Sequence, residues 1–214
     1  MTLKQTDWSS YYNKKSIASK LTQKITQKYI FEYMNKYILD KSNLKTVEFG
    51  GANSCFFDFI ADKFKPKEYV IIDNNQFGLD KFKENKNDYN CEIQLINDDI
   101  LKVNKPSETF DYCYSIGLVE HFNIENTKKA IEAHFRYTKE QGIVLISFPT
   151  PTFQYRLIRK CMEALSLWKF FDERPLTIEE VMPILQEKGD VLEIKLIRRL
   201  PLTQMMCVVR KHEQ

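Results

Sequence analysis

A glycine-rich turn between an apolar strand and an apolar helix constrains the fold of this chain most strongly. The segment reads Thr46-Val-Glu-Phe-Gly-Gly-Ala-Asn-Ser-Cys55, and an apolar helical run at 56–64 follows it. Gly50 and Gly51 lack a Cβ, so the backbone can turn sharply and ligand atoms can approach the main chain. Such a turn at the carboxyl end of a strand is typical of a nucleotide-sized binding site. Glu48 adds a negative charge that favours a cationic ligand over a pyrophosphate.

Further apolar segments follow the turn and predict alternating strands and helices. A second strand, Tyr69–Asp73, ends in an acid. This acid lies about two dozen residues after the glycine turn, where a carboxylate can accept both hydroxyls of a ribose. A helix at 127–138 is predicted to stop at Gly142, because a glycine often follows the last helical turn. Further strands are predicted at 91–96, 110–115, 143–148, 191–197 and 204–209.

This succession resembles the class I S-adenosylmethionine-dependent methyltransferases over residues 40–150. Four elements stand in the order of that family: Glu48-x-Gly50-x-Ala-x-Ser54, Asp73, Asp99-Ile100, and Ser115-Ile-Gly-Leu-Val-Glu-His121. The third glycine of the family's turn is replaced by Ala52, which still permits close approach. A NAD-binding Rossmann domain is the nearest alternative, but it requires G-x-G-x-x-G, which Ala52-Asn53-Ser54 does not supply.

The resemblance implies both a fold and a cofactor. The fold is α/β, with a Rossmann-like seven-stranded sheet that is mostly parallel, carries helices on both faces and has an antiparallel last strand. The cofactor is S-adenosylmethionine, and the product is S-adenosylhomocysteine. The cofactor-binding residues that we expect are Glu48, Gly50, Gly51, Asp73, Asp99, Ile100, Ser115, Tyr11 and Tyr12.

The resemblance also suggests roles for the acids of the site. Asp73 should hold the ribose diol through charge-assisted hydrogen bonds, which are the stronger kind. Asp99 should accept from the adenine amine while Ile100 packs on the ring, and Glu48 should help to hold the amino group of the methionine part. Each acid has a simpler alternative role as a cap of a helix or turn. Because Asp73 ends a strand at its open end, we expect it to contribute little to folding.

His121 follows the fourth strand, at the edge of the sheet where the methyl acceptor should lie. Its ordinary pKa near neutrality suits a catalytic general base, and Glu120 could orient it. The alternative is that His121 only positions or packs against its neighbours. His134 falls in the middle of a predicted helix and is expected to be a surface or packing residue. The sequence has no paired cysteines or clustered histidines, so no metal site is predicted.

Two segments outside the motif-bearing region extend a single domain that covers residues 1–214. Residues 1–40 are predicted to form an N-terminal helical cap, in which Ser16 starts a long helix whose apolar stripe packs on the sheet. The aromatic segment Trp8–Tyr12 before it either folds over the cofactor or packs on the side of the domain. Residues 149–175 are predicted to be a helical insertion after strand five that covers the acceptor, with helix over 152–170.

The same insertion mixes aromatic and cationic side chains, which would suit a phosphorylated or nucleotide-linked acceptor. A solvated basic helix face is the alternative. The side chains concerned are Phe153, Tyr155, Arg156, Arg159 and Lys160. In addition, Thr177 is predicted to cap a later helix, and a turn at Pro201 is predicted to join the last two strands.

Composition limits the classes of function. The formal net charge of +3 is close to neutral for 214 residues, so a nucleic-acid partner is not expected. No apolar run is long enough to cross a membrane. The scattered cysteines suggest reduced thiols and a cytoplasmic location, and the oligomeric state stays open.

These observations predict O-methylation of a small metabolite, with the substrate inferred by analogy alone. A sugar or a nucleotide-linked precursor of a bacterial surface glycan is the acceptor that we expect. Two alternatives stay open. One is an RNA methyltransferase that uses the basic N-terminal helix, and the other is an inactive interaction module with a methyltransferase fold.

Overall fold

One sheet of seven strands forms the centre of the protein. A computed structural model describes residues 5–13, 17–102, 109–199 and 202–213. The strands run in the spatial order β3-β2-β1-β4-β5-β7-β6, and β7 is antiparallel to both of its neighbours. This arrangement confirms the predicted fold class. The strands are β1 (Lys45–Phe49), β2 (Glu68–Asp73), β3 (Glu92–Asn97), β4 (Phe110–Ile116), β5 (Thr138–Pro149), β6 (Gly189–Arg199) and β7 (Leu202–Lys211).

Helices cover both faces of the sheet, because the central strands are apolar on both sides. Along β2, Val70 and Ile72 contact one core cluster, whereas Tyr69 and Ile71 contact the other. This alternation is the two-residue period of a strand. The helices are α1 (Trp8–Asn13), α2 (Ile17–Tyr37), α3 (Phe57–Phe64), α4 (Gln76–Asn85), α5 (Ile124–Tyr137), α6 (Phe153–Ala164) and α7 (Ile178–Lys188), with a short 3-10 helix at Val119–His121.

The two core clusters divide these helices between them. Helices α5 and α7 pack on one face, through side chains such as Ile131 and Leu185. Helices α2, α3 and α4 pack on the other face, through side chains such as Ile30, Phe57 and Leu79. No helix among the described residues is both long and apolar enough to cross a bilayer.

The prediction that Gly142 ends α5 is wrong. Thr138 already ends this helix, and its hydroxyl donates to the His134 carbonyl over 2.7 Å. The chain continues as β5, so Gly142 lies inside that strand, and the left-handed residue is its neighbour Gln141, with φ of 60°. A Cβ on Gly142 would lie 2.6 Å from the Thr138 side chain. Gly142 therefore serves close packing rather than helix termination.

The helix predicted over 152–170 is also shorter in the structure. It ends at Ala164, and Ser166 then takes a left-handed conformation with φ of 55°. Two apolar side chains of this helix are exposed, with 83% of Phe153 and 52% of Leu157 accessible. Thr177 does precede α7, although its side chain makes no capping hydrogen bond. The predicted cap at residue 16 and the turn at residue 201 lie outside the described residues.

His134 is a buried packing residue of α5. Its Nδ1 lies 2.7 Å from the Ala130 carbonyl oxygen, and its Nε2 lies 2.9 Å from the Ser115 hydroxyl. Because a carbonyl oxygen only accepts hydrogen bonds, Nδ1 carries the proton and Nε2 accepts from Ser115. Burial lowers the pKa of His134 to about 4, since the charged form would lose its hydration.

This buried imidazole should make folding stability fall as the solution is acidified. Between pH 6.5 and pH 4 the unfolded chain binds a proton at His134 that the folded chain excludes, so stability decreases across this window as pH falls. The full effect is roughly 3 kcal/mol. We expect urea unfolding at pH 7, 6 and 5 to show a steeper acid loss for the wild type than for His134→Gln. The exposed His212→Gln should keep the wild-type slope, and equal slopes for all three proteins would contradict the account.

Candidate functional site

A cleft of about 590 Å³ opens at the carboxyl ends of the parallel strands. This is the edge at which open α/β sheets bind ligands. Most of the residues that the sequence singled out line it, namely Tyr11, Tyr12, Glu48, Gly50, Gly51, Asp73, Asp99, Ile100 and His121.

Ser115 is the exception among the expected cofactor-binding residues. Its side chain is fully buried, and its hydroxyl bonds to His134 on the α5 side of the sheet. The neighbouring Ile116 and Gly117 line the cleft instead. Successive side chains of a strand point to opposite faces, so the motif located the right strand end but the wrong side chain.

The glycine turn after β1 approaches its surroundings as closely as the sequence suggests. Gly50 adopts φ of 72°, and a Cβ there would lie 2.9 Å from the Leu118 side chain. A Cβ on Gly51 would lie 2.4 Å from Glu48 Cδ. Larger residues at either position would collide with the walls of the cleft. The two glycines therefore leave backbone exposed to a ligand.

The Asp73 carboxylate lines the cleft at the end of β2. Its Oδ2 accepts from the Ala52 N–H over 3.0 Å, and its Oδ1 accepts from the Asn75 N–H over 2.8 Å. Burial raises the pKa of Asp73, and these two hydrogen bonds oppose the rise. Each oxygen retains a lone pair for a further donor, such as a ribose hydroxyl.

Glu48 lies beneath the glycine turn and is almost completely buried. Its Oε2 accepts from the Ser54 hydroxyl over 2.6 Å and from the Tyr69 hydroxyl over 2.7 Å. Burial raises the pKa of Glu48 to about 7, although the hydroxyl donors work against this change. The side chain is therefore poised to ionise near neutral pH, and a cation in the cleft would favour the charged form.

The turn after β3 supplies a polar and an apolar group. Asp99 accepts from the Leu101 N–H over 3.0 Å, and Asp98 accepts from the Asp99 N–H over 2.7 Å. Both acids line the cleft, so each combines the turn-forming role with access to a ligand. Ile100 belongs to the core cluster beneath β3 and gives this end of the cleft an apolar wall.

Helix α1 forms an aromatic wall over the cleft. Tyr12 packs against Gly78 of α4, where a Cβ would lie 2.8 Å from the Tyr12 ring. The Asn75 side-chain amide also donates to the Ser9 hydroxyl over 3.2 Å. Tyr11 and Trp8 stand edge to face with ring centroids 5.8 Å apart. Burial raises the pKa of both tyrosines, so they stay neutral hydrogen-bonding groups.

His121 lines the cleft from the short 3-10 helix after β4. That helix is anchored by Val119, which is buried, and by the Thr127 hydroxyl, which donates to the Val119 carbonyl over 3.1 Å. The imidazole Nδ1 lies 3.0 Å from Asp172 Oδ1, and Trp8 packs edge-on with ring centroids 4.9 Å apart. Burial lowers the pKa of His121, and Asp172 partly offsets this shift. The ring is neutral at pH 7 and leaves Nε2 to accept a hydrogen bond.

Two carboxyl groups around His121 were missed in the sequence as members of the site. Asp172 and Glu173 follow α6, and both line the cleft together with Phe170 and Glu120. Burial, and next the nearby Glu173, raise the pKa of Glu120 well above its ordinary value. No motif marks Asp172 or Glu173, because only the folded insertion brings them to His121. Within the predicted insertion, the segment after α6 lines the cleft through Phe170, Asp172 and Glu173.

The basic residues of α6 do not line this cleft. Arg156 and Lys160, together with Phe153, surround a second depression of about 440 Å³ on the outside of the helix. Among the described residues, the main cleft has acidic and aromatic groups in its lining but no lysine or arginine. An anionic acceptor would therefore find no cation within the cleft itself.

The sequence model of a family described as "Methyltransferase domain" matches residues 47–142. The match spans the glycine turn, Asp73, Asp99 and His121. This part of the chain, a little under half of its length, is similar to methyltransferase domains.

Solved methyltransferases share the fold at low sequence identity. Magnesium protoporphyrin IX methyltransferase (ChlM) from Synechocystis PCC 6803, with bound SAH, superposes with a TM-score of 0.74 at 10% identity, over 95% of this chain and 92% of that one. The N-methyltransferase NodS from Bradyrhizobium japonicum WM9 gives 0.62 at 15% identity, over 89% and 97%. The CurJ carbon methyltransferase gives 0.67 at 19% identity, over 96% and 58%. No curated protein sequence matches the chain. At these identities the likeness establishes the fold alone.

Replacement of Asp73 should weaken cofactor binding and also loosen the glycine turn. We expect Asp73→Ala to reduce the affinity for S-adenosylhomocysteine by about 1.5–3 kcal/mol, the range for hydrogen bonds to a charged group. The melting temperature should fall too, because Ala52 and Asn75 lose their acceptor; this corrects the expectation that folding hardly depends on Asp73. Calorimetry and thermal melting measure the two effects. The control Asp80→Ala, at an exposed position of α4, should change neither the affinity nor the melting temperature. Unchanged affinity in Asp73→Ala would contradict the assignment of Asp73 to the ribose.

Proposed function

We propose that the protein transfers a methyl group from S-adenosylmethionine to a hydroxyl oxygen of a small acceptor, such as a sugar or a nucleotide-linked precursor of a surface glycan. One observation carries this proposal. The cleft that begins at the glycine turn continues without interruption to the His121–Asp172 pair. A methyl donor bound on the turn therefore has a polar, partly enclosed space beside it for an acceptor.

The donor is held by the half of the cleft that faces β2 and β3. Asp73 takes the ribose hydroxyls, and its orientation is fixed in advance by two backbone donors. Asp99 and Ile100 take the amine and the face of the adenine. Glu48 lies next to Gly51, where it can attract the ammonium group of the methionine part. Preorganised groups of this kind lose little entropy when a ligand binds.

The acceptor half suits a hydroxylated ring. Trp8 and Phe170 provide apolar faces, with ring centroids 6.0 Å apart. Ionised Asp172 and the neighbouring Glu173 offer oxygens that accept hydrogen bonds from hydroxyl groups. A neutral sugar fits these groups better than a phosphate does. The phosphates of a nucleotide-linked sugar would have to lie outside the cleft, on the side where Arg159 contacts the Glu173 carbonyl.

Methyl transfer from a sulfonium is an in-line displacement, so the chain must align the acceptor and promote loss of its proton. S-adenosylmethionine supplies the electrophilic methyl group. We assign activation of the acceptor hydroxyl to His121, because its neutral Nε2 is the nitrogen that Asp172 leaves unoccupied. The sequence predicts that it acts as a general base.

The proposal is tested by product formation with a panel of acceptors. Purified protein and labelled S-adenosylmethionine are incubated with neutral sugars, nucleotide sugars, amines and RNA, and S-adenosylhomocysteine is quantified. We expect methylation of a hydroxylated acceptor. Transfer to RNA with steep salt dependence would favour the RNA alternative. Cofactor binding without transfer to any of these classes would contradict the proposal and favour the inactive module.

His121 should affect catalysis without affecting the cofactor. We expect His121→Ala to lower turnover about 10²- to 10⁴-fold, as is usual for loss of a group that transfers a proton in the transition state. The affinity for S-adenosylhomocysteine should stay within error, since the cofactor residues lie on other strands. Single-turnover kinetics and calorimetry measure the two quantities. His212→Ala, at an exposed site, serves as control, and unchanged turnover in His121→Ala would remove this residue from the mechanism.

Glu48 should make cofactor affinity depend on pH near neutrality. Its pKa in the free protein is about 7. As pH rises through 7 the carboxyl group ionises, so attraction to the ammonium group should strengthen and S-adenosylhomocysteine should bind more tightly at pH 8 than at pH 6. Calorimetry should show at most about a tenfold gain per pH unit. Ser54→Ala removes a hydrogen-bond donor to Glu48, so the rise of affinity with pH should move to higher pH. A Glu48→Gln variant with the wild-type dependence would contradict this role.

A further inference from the structure

Three potential metal ligands meet at the acceptor end of the cleft. They are Glu120, His121 and Glu173, and one ligand atom from each lies within 4.8 Å of the others. The first two belong to the short helix after β4, whereas Glu173 comes from the segment before α7. All three line the cleft, so a bound ion would be reachable by an acceptor. The fold brings these three residues together from two separate segments. Their spacing in the sequence does not match a metal-binding motif.

The buried carboxyl group of Glu120 lacks a hydrogen-bond partner for one of its oxygens. Its side chain is 1% exposed, and Oε2 is buried without a hydrogen-bond partner among the described residues. A buried carboxylate is stable only when it is paired, protonated or bound to a cation. No lysine or arginine of the described chain lines the cleft around it. Glu120 Oε2 therefore has no hydrogen-bond partner among the described residues at this end of the cleft, whereas the charge of Glu173 is partly balanced by Arg159.

The surroundings of His121 resemble those of a ligating histidine. Asp172 accepts a hydrogen bond from Nδ1, which fixes the tautomer and the orientation of the ring and directs the lone pair of Nε2 away from Asp172. Metal-binding histidines usually donate their second ring N–H to a carboxylate or carbonyl in this way. Asp172 is itself held by the hydroxyl of Thr6. Glu173 is oriented too, because the Tyr155 hydroxyl donates to its Oε1.

We propose that Glu120, His121 and Glu173 bind one divalent transition-metal ion at the acceptor end of the cleft. Two carboxylates and one imidazole form a mixed oxygen and nitrogen donor set that suits Mn²⁺ or Zn²⁺. Three protein ligands leave coordination positions open, which is characteristic of catalytic rather than structural sites. This site was not predicted from the sequence, which has no clustered histidines or paired cysteines.

The role of the ion rests on the proposed methyl transfer to a hydroxyl. A divalent cation beside an oxygen lowers the pKa of its proton, so the hydroxyl can lose the proton to water near neutral pH. The oxygen lone pair then forms the new bond to the methyl carbon. The carbon–sulfur bond breaks, and its electron pair stays on sulfur. With the ion bound, His121 serves as its ligand, and the general-base role proposed above applies to the protein without metal.

Binding of Mn²⁺ to the chelator-treated protein tests the site without reference to activity. Mn²⁺ is the probe of choice because it prefers oxygen ligands and would not be captured by the Cys55 thiol, which also lines the cleft. Electron paramagnetic resonance of free Mn²⁺ should show one ion bound per chain. Glu120→Gln and Glu173→Gln should each weaken binding at least 10-fold, and Asp172→Asn should weaken it about 10- to 100-fold.

Asp98→Asn is the matched control, since it removes a carboxylate from the same cleft outside the cluster, and it should keep the wild-type affinity. Melting curves without metal show that each variant is folded. No bound Mn²⁺ in the wild type, or equal weakening by Asp98→Asn and Glu120→Gln, would overturn the site. Calorimetry with S-adenosylhomocysteine is run on the same samples. Cofactor binding without Mn²⁺ binding would contradict the metal site alone. Mn²⁺ binding without cofactor binding would contradict the proposed function.

Discussion

The carboxylate of Asp73 joins the ends of two neighbouring strands and so sets the shape of the cleft. One oxygen holds the Ala52 N–H of the glycine turn after β1, and the other holds the Asn75 N–H where α4 begins. Asn75 in turn caps α4 by accepting from the Gly78 N–H over 2.8 Å, and Gly78 is the position on which Tyr12 packs. The turn, the start of α4 and the aromatic wall of α1 therefore depend on a single half-buried acid.

Negative charge dominates the electrostatics of this cleft. Glu48 and Glu120 are buried and Asp73 is half-buried, and burial raises the pKa of each. An acidic, low-dielectric cleft favours a cationic ligand, and the sulfonium and ammonium groups of S-adenosylmethionine supply such charge. At the acceptor end the same reasoning applies to Glu120 and Glu173, whose pKa burial also raises. The metal site offers one way for that end to be neutralised.

The sequence was informative where function depends on local backbone geometry. Gly50 and His121 follow predicted strands and Asp73 ends one, so these strands, together with the family resemblance, place all three at the carboxyl edge of the sheet. It was misleading at Ser115, where the choice between the two faces of a strand decided the outcome. The prediction that Gly142 ends α5 failed for a different reason. Thr138 ends this helix earlier in the chain, so Gly142 already lies in β5. Asp172 was not foreseeable at all, since its contact with His121 spans 51 residues and depends on the folded insertion.

The most direct test of the central claim is a crystal structure of the protein with S-adenosylhomocysteine at saturating concentration. The account predicts the ribose hydroxyls on the Asp73 carboxylate, the adenine beside Asp99 and Ile100, and the sulfur facing the space in front of His121. An empty cleft, or a cofactor whose ribose makes no contact with Asp73, would contradict it.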